Sequence, residues 1–211
     1  MKRIYKVLVV TVVIITIIVA SGILFFGRVI PRNTPTQGIV APASGKVISI
    51  FDTDNPTIVF EKQGIVNRVT LPEFADPVHV ILIELNLDDV HVQRAPISGT
   101  IVRMDYFDGD HVNALGSEKT TIAATNEKVV SVFKNATTTV GVVQVAGRAA
   151  RRIKNYIPVD SPVTIGQIYG RILLGSQVVV IIPQHIPLDV RLGDTLIDGE
   201  TVIAREQLIF D

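Results

Sequence analysis

The sequence contains no cysteine and no tryptophan. The absence of cysteine excludes disulfide bonds, thiolate zinc sites and a cysteine nucleophile. Aromatic residues make up only 6% of the chain, which disfavours the stacking platforms that bind single-stranded nucleic acid. The first 32 residues have no acidic side chain, and the rest of the chain has 15 basic and 20 acidic ones. We therefore expect no nucleic-acid partner.

Several site motifs are also missing. The four histidines lack ligand spacing, and there is no His-Glu-x-x-His pair, so we expect no metal centre. A glycine-rich phosphate loop and a Gly-x-Ser-x-Gly nucleophile elbow do not occur either. A catalytic site in this chain is therefore not expected to use a metal centre, a phosphate loop or a nucleophile elbow.

A long apolar run lies close to the N-terminus. Val7 to Phe26 holds 20 residues without a charge, enough to cross ~30 Å of hydrocarbon as a helix. A cleaved signal peptide and a buried core helix are the alternatives, but the run is long for the first and uniformly apolar for the second. The sequence predicts a single-pass N-terminal anchor over residues 1–30, in the plasma membrane. The basic residues at its two ends nearly balance, so they do not set its orientation.

The remaining chain has the composition of β structure. Residues 31–38 form a linker rich in proline and polar residues, and residues 39–211 are predicted to form one domain. Strands are predicted where runs of Val, Ile, Thr and Phe are bounded by turn residues: Lys46–Phe51, Thr57–Phe60, Val78–Leu85, Gly99–Met104 and Val178–Ile182. Helical spacing occurs around Val142 to Ile153, although its first half could equally be a strand.

One internal echo indicates the architecture. Ala41–Ile48 and Ala95–Val102 both begin with a proline-led turn, continue through a glycine and enter a strand. This pattern is typical of a compact lipoyl-carrier-like β-sandwich or barrel. We therefore predict a mainly β fold with an N-terminal transmembrane helix.

A Gly-Ser pair late in the chain could undergo self-cleavage. Gly175 and Ser176 lie between two apolar strand-like runs. The Ser176 hydroxyl can attack the Gly175 carbonyl, which moves the acyl group from nitrogen to oxygen. Elimination from the resulting ester, followed by hydrolysis, would leave a pyruvoyl group in place of Ser176. The alternative is a strand with a Gly-Ser kink.

A second candidate site follows a predicted strand. In strand geometry Asp89 and His91 point to the same face, because side chains alternate. A carboxylate beside an imidazole raises its pKa and fixes its tautomer, which suits a proton carrier. The alternative is a surface loop with incidental charges.

Together these segments resemble the phosphatidylserine decarboxylase family in its short prokaryotic form, from about Arg28 to Arg205. Val40–Val47 resembles the family's Ser-Pro-Ala-Asp-Gly-Lys-Val segment, and Asp89–Pro96 its Asp-Val-His-Val-Asn-Arg-x-Pro segment. The later blocks are matched by Asn126–Glu127, Gln144–Ile153 and, at the cleavage position, Leu174–Ser176. The five blocks occur in the right order and at the right intervals.

The resemblance implies a zymogen that cleaves itself between Gly175 and Ser176 into chains 1–175 and 176–211. Ser176 would become a covalent pyruvoyl cofactor that forms a Schiff base with phosphatidylserine and releases phosphatidylethanolamine. His91 would handle the proton, with Asp89 beside it. The implied partners are a phospholipid, the membrane and the two chains of one precursor, and a homo-oligomer is compatible with the resemblance.

The sequence departs from the family at one position that matters. The family's first block has an Asp that pairs with a His to activate the cleavage-site Ser, and Ser44 stands there instead. Because loss of a triad carboxylate can cost ~10⁴-fold in rate, self-cleavage is open to question, and Ser44→Asp is predicted to speed it. Two other functions therefore stay open: an uncleaved lipid-binding pseudoenzyme, and a membrane-anchored lipoyl-like structural or transport adaptor.

Overall fold

The computed structural model describes residues 2–54, 56–62, 65–74, 77–109, 126–147, 153–172 and 176–205. These ranges hold one helix and fifteen strands, which confirms the expectation of a mainly β chain. The elements are α1 (Lys2–Phe26), β1 (Ile39–Val40), β2 (Gly45–Thr53), β3 (Thr57–Lys62), β4 (Ile65–Thr70), β5 (Val78–Leu85), β6 (Val92–Arg94), β7 (Gly99–Phe107), β8 (Lys128–Lys134), β9 (Thr139–Val145), β10 (Ile153–Asn155), β11 (Pro162–Val163), β12 (Ile168–Ile172), β13 (Ser176–Pro183), β14 (Thr195–Leu196) and β15 (Val202–Ala204).

The helix α1 is long and apolar enough to cross a membrane. The segment Tyr5–Phe26 has 22 residues and a mean hydropathy of 3.0. Side chains along it, such as Val10, Ile14 and Ile18, are exposed. Its apolar surface is therefore not used to pack against the β strands.

The largest sheet has eight antiparallel strands in the order β11-β7-β8-β9-β13-β5-β2-β14, and it curls into a half-barrel. Strand β13 pairs with β5 along its whole length, and on its other edge residues Gln177 to Ile181 pair with β9. Both faces of β13 are buried: Val178 and Val180 belong to the larger apolar core, and Ile181 belongs to a smaller one on the opposite face. This explains its continuous apolar sequence, since a strand covered on both sides needs no polar alternation.

A second layer covers the inner, larger-core face of that sheet. It is a three-stranded sheet in the order β10-β12-β6. Tyr169 of β12 packs edge-on against Phe133 of β8, with ring centroids 5.0 Å apart. Ile172 of β12 is fully buried in the same core. The space between the two layers is therefore the interior of the domain. The pairs β1–β15 and β3–β4 complete the described strands.

The five predicted strands are confirmed, because they lie within β2, β3, β5, β7 and β13. Around Val142 to Ile153, where the spacing favoured a helix but left a strand open for the first half, the described residues form strands. Val142 to Val145 belong to β9, and Ile153 begins β10. Val142 faces the larger core and Val143 the smaller one, so the strand period of two replaces the helical period. Pairing with β8 and β13 on both sides stabilises this outcome.

Candidate active site

Ser176 opens strand β13 at one end of the large sheet. It lies opposite Leu85 of β5 and is completely buried. Alternation along the strand places it on the same face as Val178, toward the interior between the layers. Its Oγ has no hydrogen-bond partner among the described residues. Such a hydroxyl is uncommon in native structures, and it is free to act on a neighbouring group. Gly175, the predicted partner in cleavage, lies outside the described residues.

His91 lies between the turn that follows β5 and the start of β6. Its carbonyl accepts a hydrogen bond of 3.1 Å from the Ile172 N–H at the end of β12. Its Nδ1 is 2.8 Å from the Asp89 backbone oxygen. Because a carbonyl can only accept, Nδ1 carries the proton and Nε2 holds a lone pair in the neutral ring. Nε2 is buried and has no partner within the described ranges.

Burial decides the protonation state of this histidine. It lowers the pKa of His91, and the charges of Arg28 and Arg171 lower it further, against the opposing effect of Asp89. We expected a raised pKa from the Asp89 carboxylate, and that expectation is wrong. The carboxylate instead accepts a 2.7 Å hydrogen bond from the Asn86 N–H and closes the turn. Asp89 therefore orients His91 through its backbone carbonyl.

His91 and Ser176 face the same space. The Ile172 N–H donates to the His91 carbonyl one position beyond the last register pair, Arg171 with Val92, and Ile172 belongs to the larger core. Neighbouring residues in register point to the same side of a sheet, so His91 also faces the interior. The chain needs only three residues, 173–175, to connect Ile172 with Ser176. The two candidate groups thus lie at the same end of the interlayer space.

A buried carboxylate from another part of the chain lies beside Ser44. Ser44 donates a 2.5 Å hydrogen bond to Asp198 Oδ1, and its Oγ accepts a 3.1 Å bond from the Asp198 N–H. Asp198 is fully buried. Its carboxylate also accepts a 2.6 Å hydrogen bond from Arg94 Nε and forms an ion pair with Arg32. Sequence reasoning missed Asp198, because its Asp-Gly pair reads as an ordinary hairpin turn. The pairing of β14 with β2 and the hydrogen bond from the Gly199 N–H to the Ala41 carbonyl bring it beside Ser44.

Three arginines form hydrogen bonds that connect the C-terminal end of α1 with the segments around His91. Arg94 donates to the Ile30 carbonyl at 2.9 Å, and Arg171 donates to the Gly27 carbonyl at 3.0 Å. Arg28 donates to the carbonyl of Asp88, in the turn that leads to His91. Neither Arg28 nor Arg171 pairs with a carboxylate in the part of the chain that the structure describes. The end of the apolar helix and the His91 turn are therefore held together, and two arginines without an ion pair among the described residues lie beside them.

The later blocks meet on the other side of Ser176. Asn126 Nδ2 donates to the Ala146 carbonyl at 2.8 Å, and the Ala146 N–H donates to the Glu127 carbonyl at 2.9 Å. Burial lowers the pKa of Lys128 to about 8. No group of His, Asp and Glu side chains within the described ranges is arranged to hold a metal ion. Val145 pairs with Gln177, so the described part of the later blocks lies at the same end of the large sheet as Ser176.

A family model described as phosphatidylserine decarboxylase matches residues 24–204. The chain belongs to the phosphatidylserine decarboxylase family. Its members are enzymes, and the match extends from the end of α1 to the last described strand. It includes Ser44, His91, Ser176 and Asp198.

Named relatives agree with this assignment. A Methanocaldococcus jannaschii protein, provisionally named an archaetidylserine decarboxylase proenzyme, is 36% identical over 82% of this chain and 85% of its own length. The phosphatidylserine decarboxylase proenzyme of Streptomyces avermitilis is 33% identical over 89% of this chain and 75% of its own. That of Paraburkholderia phymatum is 32% identical over 82% and 74%.

Proposed function

We propose that this chain is a membrane-anchored proenzyme that decarboxylates phosphatidylserine to phosphatidylethanolamine, or the corresponding archaeal lipid, after converting Ser176 into a pyruvoyl group. The observation that carries the proposal is the buried Ser176 hydroxyl, which is unpartnered in the described chain and belongs to the segment that resembles the family's cleavage site. The proenzyme names of the relatives support processing of a precursor, and the resemblance of Leu174–Ser176 to the family's cleavage site gives the proposed chains 1–175 and 176–211.

Self-cleavage uses the Ser176 side chain twice. Its Oγ attacks the Gly175 carbonyl carbon and forms an ester there. The peptide C–N bond breaks, and the hydroxyl proton passes to the Ser176 nitrogen, which becomes a free amine. Removal of the Ser176 α-proton then expels the Gly175 carboxylate. The remaining unsaturated amine takes up water and loses ammonia, which leaves the keto group at the new N-terminus. A buried hydroxyl without a competing hydrogen bond fits the first step, because no bond has to be broken before attack.

His91 is the proposed proton carrier. A neutral ring with a free Nε2 lone pair can accept a proton and return it at the carbon that loses carbon dioxide. The lowered pKa keeps that lone pair available near pH 7. The pyruvoyl carbonyl would supply the electron sink for decarboxylation. Asp89 supports this role by holding Nδ1 through its backbone oxygen.

The membrane assignment rests on α1 and on the hydrogen bonds that hold the residues following it. We propose residues 1–30 as the anchor, 31–38 as a linker and 39–211 as a catalytic domain of lipoyl-carrier-like architecture. Arg94 and Arg171 hold the Ile30 and Gly27 carbonyls, so the end of the anchor is attached to the domain just before the linker begins. A lipid substrate in the same bilayer would then reach the site at high effective concentration.

The test is the state of the purified full-length chain. We expect two bands on a denaturing gel, a small chain blocked to N-terminal sequencing, and a mass matching a pyruvoyl group at position 176. Ser176→Ala should give one uncleaved, inactive chain, whereas Ser49→Ala, a matched change on β2, should be cleaved normally. One full-length band in the wild type would refute the proposal and favour the uncleaved lipid-binding alternative.

A further inference from the structure

Three amide side chains have buried polar atoms that lack a hydrogen-bond partner among the described residues. Gln93 of β6 and Gln144 of β9 are completely buried, and Asn155 of β10 is partly buried. Gln93 has no partner for either Nε2 or Oε1 among the described residues, and the same holds for Gln144 Nε2 and Asn155 Oδ1. Native proteins leave few such groups unsatisfied, so each one calls for an explanation.

The orientation of the amides does not remove the problem. Asn155 Nδ2 donates to Gln144 Oε1 at 3.0 Å. If both amides were turned by 180°, Gln144 would donate to Asn155 in place of the present bond. One amide N–H₂ group and one amide oxygen would still lack a partner among the described residues. Gln93 has no described partner in either orientation. The unpaired amide donors and acceptors are therefore not an effect of how the amides were oriented.

All three amides face the space that Ser176 and His91 face. Gln93 lies two residues after His91 on β6, and Gln144 lies opposite Val178, two residues after Ser176. Gln93, Gly170 and Asn155 form one row across the three-stranded sheet. A Cβ at Gly170 would collide with Asn155 Oδ1, so the glycine leaves the room that the amide occupies. The Asn155–Gln144 hydrogen bond joins the two layers directly.

The amides match one particular part of the proposed substrate. An α-amino carboxylate needs hydrogen-bond donors for its oxygens and acceptors for its ammonium group, and it has no net charge. Amide side chains offer both donors and acceptors and carry no charge themselves. A carboxylate held by neutral amides in a buried space is also less stabilised than in water, which favours its loss as carbon dioxide.

We infer that Gln93, Gln144 and Asn155 form the subsite that binds the α-amino carboxylate of the lipid head group before decarboxylation. This inference rests on the proposed function and assigns its head-group specificity. The product lacks the carboxylate, so the subsite would distinguish substrate from product.

The experiment replaces the amides by methionine, which has a similar length and no hydrogen-bonding amide. Full-length Gln93→Met and Gln144→Met enzymes, checked for cleavage on a gel, are assayed with phosphatidylserine in mixed micelles. We expect KM to rise at least about tenfold for each, because a hydrogen-bonding subsite is lost. Inhibition by phosphatidylethanolamine should weaken by a smaller factor than KM rises, since the product keeps the ammonium group but lacks the carboxylate that takes the amide donors. Gln184→Met, an exposed control, should behave as wild type.

A second measurement does not depend on activity. In the uncleaved Ser176→Ala background, Gln93→Met should leave the melting temperature unchanged or raise it, because an unsatisfied amide leaves the interior. A lower melting temperature would show that the amide is a structural group and would overturn the inference. An unchanged KM in both variants would overturn it as well. An inactive or uncleaved wild type would instead refute the proposed function, so the two failures are distinguishable.

Discussion

Replacing Asp198 by asparagine removes one negative charge from a fully buried cluster while keeping the size of the side chain. The carboxylate has no exposed surface, and its partners Arg94 and Arg32 have side-chain exposures of 9% and 11%. Asparagine can still bond to Ser44. The two guanidinium groups, however, would lose the charge that compensates them. The effect of the substitution therefore measures the ionic part of the cluster.

The expected loss is large for a single atom change. Breaking a buried ion pair from one side costs about 3–5 kcal/mol, because it leaves the other charge buried without compensation. For a chain of this size each kcal/mol corresponds to about 2–4 °C in the melting temperature. We therefore expect Asp198→Asn to melt roughly 6–20 °C below the parent protein.

Thermal unfolding is followed by circular dichroism on the full-length chain in detergent. The Ser176→Ala background keeps every molecule as one chain. The control is Asp189→Asn, which breaks the pair between Arg205 Nε and Asp189 at 2.9 Å, where the side chains are 64% and 41% exposed. An exposed pair of this kind contributes about 1 kcal/mol or less. A melting temperature for Asp198→Asn within the range of the control would refute the reasoning.

The same cluster changes what Ser44→Asp should do. The sequence alone predicts that a restored carboxylate speeds self-cleavage. In the structure, the new carboxylate would lie beside Asp198, and two buried like charges repel. We therefore expect Ser44→Asp alone to destabilise the fold, whereas the exchange Ser44→Asp with Asp198→Ser should recover most of the stability.

Two further predictions concern the site and its support. The pKa of His91 is lowered from 6.5 in the folded chain, so the unfolded chain binds more protons, and the free energy of unfolding should fall as the pH drops below about 6.5. His91→Gln should remove this pH dependence and lower turnover in cleaved enzyme; full activity would exclude His91 from the mechanism. Gly199 has a φ of +68°, and a Cβ there would collide with Arg94 Cδ. Gly199→Ala should therefore cost about 1–3 kcal/mol in urea denaturation, and wild-type stability would contradict the placement of Arg94.

Much of the fold could be predicted because strands have local signatures. Runs of β-branched residues bounded by turn residues identified β2, β5 and β13. The segment from Val142 to Val145 was ambiguous for the same reason, since its spacing satisfies both periods over a short stretch. Pairing with a strand on each side made it β9, and this information is not local.

Part of the candidate site was also visible in the sequence. Ser176 and His91 stand in short motifs whose chemistry depends on neighbouring residues. The same motifs gave the wrong environment for His91, because burial by other elements outweighs a carboxylate two positions away. Asp198 and the unsatisfied amides had no local signal at all.

The order of the residues alone determined that the chain is mainly β, that an apolar helix leads it, and which serine is the candidate for self-cleavage. Each of these properties depends on residues within a few positions of one another. Tertiary structure alone decided that Asp198 supplies a carboxylate to Ser44, 154 positions earlier, and that Gln93, Gln144 and Asn155 share one interior space with Ser176. Contacts of that kind depend on strand order and register, and these are set by packing the whole sheet at once.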